Sequence, residues 1–171
     1  MTKERFSFES VEKAVRKKSF GVLTTINSKG RPHSTGIIYG VSPPTSPFAL
    51  YILVGKNYAK VRNIKANNQV SLVVTFPHYW LRFVPASYAM FRGTAELVSF
   101  NNIDARWSMS QSRIGRMNLA TDVSEDEMVF IKINPEPTIF CYGLGISIME
   151  MRGDHTNAGY KATIPPERMK K

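Results

Sequence analysis

This chain holds a single cysteine, Cys141. No internal disulfide can form, so the fold must rest on its core, as suits a reducing compartment. Acidic residues are missing from a long stretch: none of the 83 residues between Glu12 and Glu96 is Asp or Glu. No apolar run reaches the length of a membrane span, and the charged opening from Met1 to Lys13 has no apolar leader core. These absences lead us to expect a cytoplasmic protein with no membrane partner. Nucleotide and nucleophile signatures are also lacking. There is no G-x-x-x-x-G-K-[ST] run and no G-x-S-x-G elbow, and Gly143-Leu144-Gly145 is only a fragment of a dinucleotide pattern. His33, His78 and His155 stand too far apart for a metal-ligand spacing, so no metal is expected.

What is present is positive charge. The acid-free stretch carries twelve Lys and Arg, and the whole chain has a formal net charge of +10. An unopposed positive field over half a domain attracts anions, whether phosphorylated ligands, nucleic acid or acidic surfaces. A basic surface without a specific partner satisfies the same count.

A length of 171 residues suits one domain. We read residues 1–171 as a single unit and leave the segment after about residue 145 unassigned. Residues 7–18 read as a helix with Ser7 as its cap. Residues 20–26 and 33–41 read as strands joined by the turn residues Asn27-Ser28-Lys29-Gly30. A third strand covers 48–54. Residues 57–68 read as a helix with an Asn cap, its apolar side formed by Tyr58, Val61 and Ile64. Strands follow at 69–76 and 88–99, with Gly93 marking a bulge or a close approach. Residues 101–118 read as one helix, and 128–134 and 138–142 as the last two strands. Antiparallel strands with short inserted helices point to a mainly β (α+β) barrel and away from a doubly wound parallel sheet.

Chemistry concentrates in the run from Val54 to Asn63. A buried strand ends, turns on a glycine and enters a helix with Lys60 in its first turn. Helix N-termini attract anions, and a lysine there opposes the dipole unless an anion is held nearby. Lys56, Lys60 and Arg62 are therefore candidates for a phosphate clamp, against the plain alternative of a solvated helix face. His33, Ser34 and Thr35 place polar side chains where a buried strand carries apolar ones, as suits the polar edge of a ring ligand or simply an exposed strand end. Tyr79, Trp80, Phe83, Tyr88 and Phe91 crowd beside Arg82 and Arg92, which fits core packing, ring stacking or base stacking. Cys141 lies among β-formers, where an inert core thiol is expected.

Together these segments resemble the pyridoxamine 5'-phosphate oxidase-like FMN-binding split-barrel family. The resemblance rests on residues 20–26 and on Lys29-Gly30-Arg31-Pro32-His33. It continues through the strand 50–54, then Lys60-Val61-Arg62-Asn63-Ile64, Asn67-Asn68-Gln69-Val70-Ser71-Leu72, and Phe91-Arg92-Gly93-Thr94-Ala95-Glu96-Leu97. It covers roughly residues 8–100. No single motif is specific; their order and spacing are. The resemblance implies a six-stranded antiparallel split β-barrel with short flanking helices, a homodimer, and FMN held between the subunits. By position, Lys60 would hold the phosphate with help from Arg62 or Lys56. His33, Ser34 and Thr35 would line the ribityl chain and ring edge, and Leu53 and Val54 would lie beneath the isoalloxazine. Tyr88 would stand where the oxidase proper has a flavin-contacting glutamine.

The arginine- and tryptophan-rich C-terminal motif that grips pyridoxal in the true oxidases is not found, Met151-Arg152-Gly153-Asp154-His155 being a different pattern. The expectation is therefore an FMN-dependent oxidoreductase acting on a small organic substrate other than vitamin B6. Alternatives are a haem- or deazaflavin-binding relative, or a non-enzymatic nucleic-acid-binding barrel. The last is disfavoured because the basic residues fall in turns and helix starts without forming a stripe. Tyr160 and Arg168 are expected to tie the C-terminal segment to the cofactor pocket.

Overall fold

A computed structural model describes residues 6–77, 86–120, 125–147, 149 and 158–169. The stretch from His78 to Pro85, with Tyr79, Trp80, Arg82 and Phe83, lies outside the described residues, as do Arg152 and His155.

Alternating apolar residues build one antiparallel sheet. Its strands are β1 (Phe20–Ile26), β2 (Pro32–Ile38), β3 (Gly40–Val41), β4 (Leu50–Gly55), β5 (Gln69–Phe76), β6 (Ser87–Val98), β7 (Met128–Tyr142) and β8 (Gly159–Thr163). The order is β2-β1-β5-β6-β7-β4-β3, with β8 added on β7. The sheet curls until β2 and β4, far apart in that order, come together. Inside the curl lie Leu23, Leu72, Val74, Phe91, Ile131 and Ile139, all essentially without solvent contact. Helix α1 (Phe8–Arg16) adds Phe8, Val11 and Val15 to this core, and α2 (Ala59–Ala66) adds Val61 and Ile64. A second, smaller core lies where α3 (Ile103–Ser110) and α4 (Arg113–Leu119) cover the outside of β4 and β7, with Tyr51, Met109 and Phe130 at its centre. This is the expected split barrel, with eight strands among the described residues in place of six.

The two additional strands have separate origins. The expected strand 33–41 breaks at Tyr39, whose amide turns back to the Ser19 carbonyl and whose hydroxyl donates to the Val15 carbonyl at 2.8 Å. Gly40–Val41 then pairs with β4 as a strand of its own. β8 comes from the unassigned tail and pairs with β7 from Thr138 to Tyr142.

Other boundaries shift for local reasons. The last two expected strands are one continuous β7, because the irregularity between Phe91 and Gly93 absorbs Pro135, which sits opposite Gly93. A Cβ on Gly93 would press into the Asn134 carbonyl, so close approach is what the glycine supplies. The expected single helix 101–118 divides at Ser112, which leaves the helical region (φ -114°, ψ 150°) and caps α4 by accepting from the Gly115 amide at 3.0 Å. Ser7 caps α1 as expected, its side chain accepting from the Ser10 amide. Helix α2 does not have the expected Asn cap. Tyr58 stands at that position with no side-chain bond, and its ring is 57% exposed instead of facing the core. No helix among the described residues is long and apolar enough to cross a membrane.

Candidate functional site

The two sheet edges that meet without hydrogen bonding make the most distinctive feature of the fold. Among the described residues, strand β2 pairs only with β1. Strand β4 pairs with β7 along its length, but with β3 only at Leu50 and Tyr51. The side of β4 from Ile52 to Gly55 that faces β2 therefore has no strand partner among the described residues, and the Gly55 carbonyl accepts from the Tyr58 amide at 3.2 Å. Open edges present backbone N–H and C=O groups that something else must satisfy.

A cavity of about 250 Å³ occupies this seam. One wall is Gly36, Ile37 and Ile38 of β2, and the other is Ile52, Leu53, Val54 and Gly55 of β4. Tyr58 and Lys60 close it on the α2 side, with Asn118 and Met128 completing the lining. Its lining mixes apolar side chains with exposed polar atoms, and the sheet edges can offer amide groups to a ligand.

Lys60 supplies the charge. It stands in the first turn of α2, half-buried, and no carboxylate pairs with it among the described residues. Desolvation by burial moves its pKa below the ordinary lysine value. Its ammonium lies 5.5 Å from the centroid of the Tyr58 ring. No side chain caps α2, so its free amide groups and Lys60 together present positive charge that no described carboxylate neutralises.

Of the residues singled out in the sequence, Leu53, Val54 and Lys60 line this cavity. His33, Ser34 and Thr35 lie on β2 just before its wall. His33 is exposed, and Ser34 shares a 2.8 Å hydrogen bond with Thr24. The buried Thr35 hydroxyl has no partner among the described residues. Lys56 is exposed, with its amide bound to the Glu127 carbonyl. Arg62 turns back to donate to the Asn57 carbonyl at 2.6 Å. Neither lines the cavity. Tyr88 is distant in the sheet order and stacks on Tyr142 with centroids 5.7 Å apart. Tyr160 and Arg168 also lie elsewhere, bonded to the Leu144 carbonyl and to Glu12.

Sequence reasoning missed Gly36, Tyr58, Asn118 and Met128. Gly36 follows the polar triplet directly, and Tyr58 precedes Lys60 by two positions, so both were within reach. Asn118 and Met128 come from distant elements and carry no local signal.

Among proteins of curated function none matches this chain. Solved structures share its fold. The haem-binding protein from Mycobacterium smegmatis superposes with a TM-score of 0.64 at 14% identity, over 91% of this chain and 56% of its own. The chain thus spans little more than half of that protein's length. HutZ, the haem storage protein from Vibrio cholerae, gives 0.60 at 18% identity over 82% of this chain and 98% of its own. General Stress Protein 26 from Bacillus anthracis gives 0.56 at 19% over 78% and 91%. Identities this low show the fold alone. The sequence pattern of the pyridoxamine 5'-phosphate oxidase family matches residues 8–142, from the first helix to the end of β7. The chain belongs to the pyridoxamine 5'-phosphate oxidase family.

Proposed function

We propose that this protein binds FMN in the seam between β2 and β4 and works as a flavin-dependent oxidoreductase on a small organic substrate. The observation that carries the reading is Lys60, a partly desolvated cation with no carboxylate partner among the described residues, at a helix start without a side-chain cap and lining the seam cavity. Lys60 and the first turn of α2 would anchor the phosphate. Leu53 and Val54 would support one face of the ring, and the open edges of β2 and β4 would meet its polar rim. The buried Thr35 hydroxyl, without a partner among the described residues, lies one position before the seam wall. Bound FMN supplies the electron transfer, while the protein orients it and excludes water.

A second copy of the chain belongs to this reading. The outer face of the sheet carries a row that runs from Val22 to Val73, Met90 and Phe140 in register. Phe20 is 53% exposed on that same face. Its ring reaches Gly36, where an added Cβ would lie 3.0 Å from it. A partner on this face would therefore stand against the seam wall and complete the cofactor cleft.

The test is an absorbance spectrum of the purified protein, FMN titration and sedimentation. Flavin bands, about one FMN per subunit and a dimer are expected. Failure to take up FMN at micromolar concentration would refute the reading.

Haem in the same seam is the second reading. Two proteins of this fold are haem proteins by name. Tyr58 and Met128 also bring iron-ligating side-chain types to the cavity. A Soret band in place of flavin bands would favour it.

A further inference from the structure

A second cavity, of about 280 Å³, lies on another part of the molecule, between the end of α1, β3 and α3. It shares no lining residue with the seam. We propose that it is a binding site for a small aromatic carboxylate, independent of the seam.

Charge is the first argument. Lys18 lines the cavity and pairs with no carboxylate among the described residues. Arg16 lines it too, and donates to the Glu12 carboxylate. That carboxylate is shared, because Arg168 donates to both of its oxygens at 3.2 and 3.0 Å. Two guanidinium groups on one carboxylate leave a net positive charge at this wall, and Lys18 adds a second to the lining. No lining residue is acidic. The Val15 carbonyl at the end of α1, which would repel an anion, is already covered by the Lys18 amide at 3.0 Å and the Tyr39 hydroxyl at 2.8 Å.

Shape and polarity supply the rest. Trp107 lines the cavity from α3 and remains 36% exposed, an aromatic surface with no described ring against it. Val41 lines the cavity as well. The walls are firm: an added Cβ at Gly40 would lie 2.5 Å from the Ser108 backbone, so β3 and α3 are in direct contact there. A lysine and a partly exposed indole lining one small, mainly apolar cavity are complementary to a flat ring bearing one carboxylate.

Calorimetric titration of 1-naphthoate into the FMN-loaded dimer tests this, with 1-naphthylmethanol as the uncharged control. Saturable 1:1 binding per subunit is expected, at least ten-fold tighter than the alcohol. Lys18→Gln and Trp107→Leu should each weaken it about ten-fold or more, with thermal midpoint and FMN content unchanged. Lys18→Arg should keep most of the affinity. Absence of binding at millimolar 1-naphthoate would overturn the proposal, as would Lys18→Gln binding like the parent. So would loss of binding in Lys60→Gln alone, which would place the probe in the seam. If the protein takes up no FMN, the same titration on the unloaded chain decides this site separately.

Discussion

The Lys60 ammonium lies 5.5 Å from the centre of the Tyr58 ring at the rim of the seam. The exposed ring holds the cation where an incoming phosphate would meet it, a geometry in which cation–π attraction offsets some of the desolvation. Anion binding would replace this weak contact with charge-assisted hydrogen bonds.

Lys60→Gln is expected to lower FMN affinity roughly 10- to 100-fold, the loss of one hydrogen bond between charged groups worth roughly 1.5–3 kcal/mol. Riboflavin, which has no phosphate, should bind parent and variant alike. Fluorescence titration with both ligands checks this, and an equal loss for riboflavin would remove the phosphate role.

The pH dependence has a defined sign. Burial lowers the pKa of Lys60, so its charged form disfavours the folded state. This penalty is full at low pH and is relieved as pH rises from the folded pKa to the unfolded value of about 10.4. FMN affinity should move the other way, falling as Lys60 loses its proton at a pH below the usual lysine range. Titrations across the alkaline range should show this fall in the parent and its absence in Lys60→Gln.

Glu12 joins α1 to the C-terminal turn by accepting from Arg16 and Arg168 while itself 9% exposed. Glu12→Gln would leave two guanidinium groups facing each other. Both keep some solvent contact, so a loss of roughly 2–4 kcal/mol is expected, somewhat under that of a fully buried pair. Urea unfolding measures it, and an unchanged midpoint would contradict the role.

Cys141 is buried on β7, and desolvation pushes its thiol up to about 11, against a smaller lowering from Tyr160. At pH 8 almost none is thiolate, so Ellman's reagent should react slowly with native protein and rapidly in denaturant. Fast native reaction would mean that the β7–β8 pairing opens readily.

Much of the architecture was legible because its causes are local. Runs of β-forming residues marked β1, β5 and β6, Ser7 marked the start of α1, and Gly93 marked a bulge or close approach. Asn63, read as part of a family motif, proves to be a buried tie between α2 and β1, donating to the Thr25 hydroxyl at 2.9 Å. Errors arose where distant chain overrode local cues. Pro135 and Pro137 look like a strand end, yet β7 runs on because the Gly93 bulge of β6 lies opposite. Tyr58 fits the apolar side of a helix, but at the cap position it turns outward over Gly55.

By itself the sequence determined the family, the antiparallel elements, the acid-free basic field and the placing of Lys60 at a helix start. These depend on neighbours within a turn or a strand. Only the tertiary structure decided that β2 and β4 meet as open edges, that Asn118 and Met128 complete the cleft, and that Arg168 reaches Glu12 across 156 positions. Such meetings are set by the curl of the sheet and the closure of long loops, and no local pattern of residues encodes them.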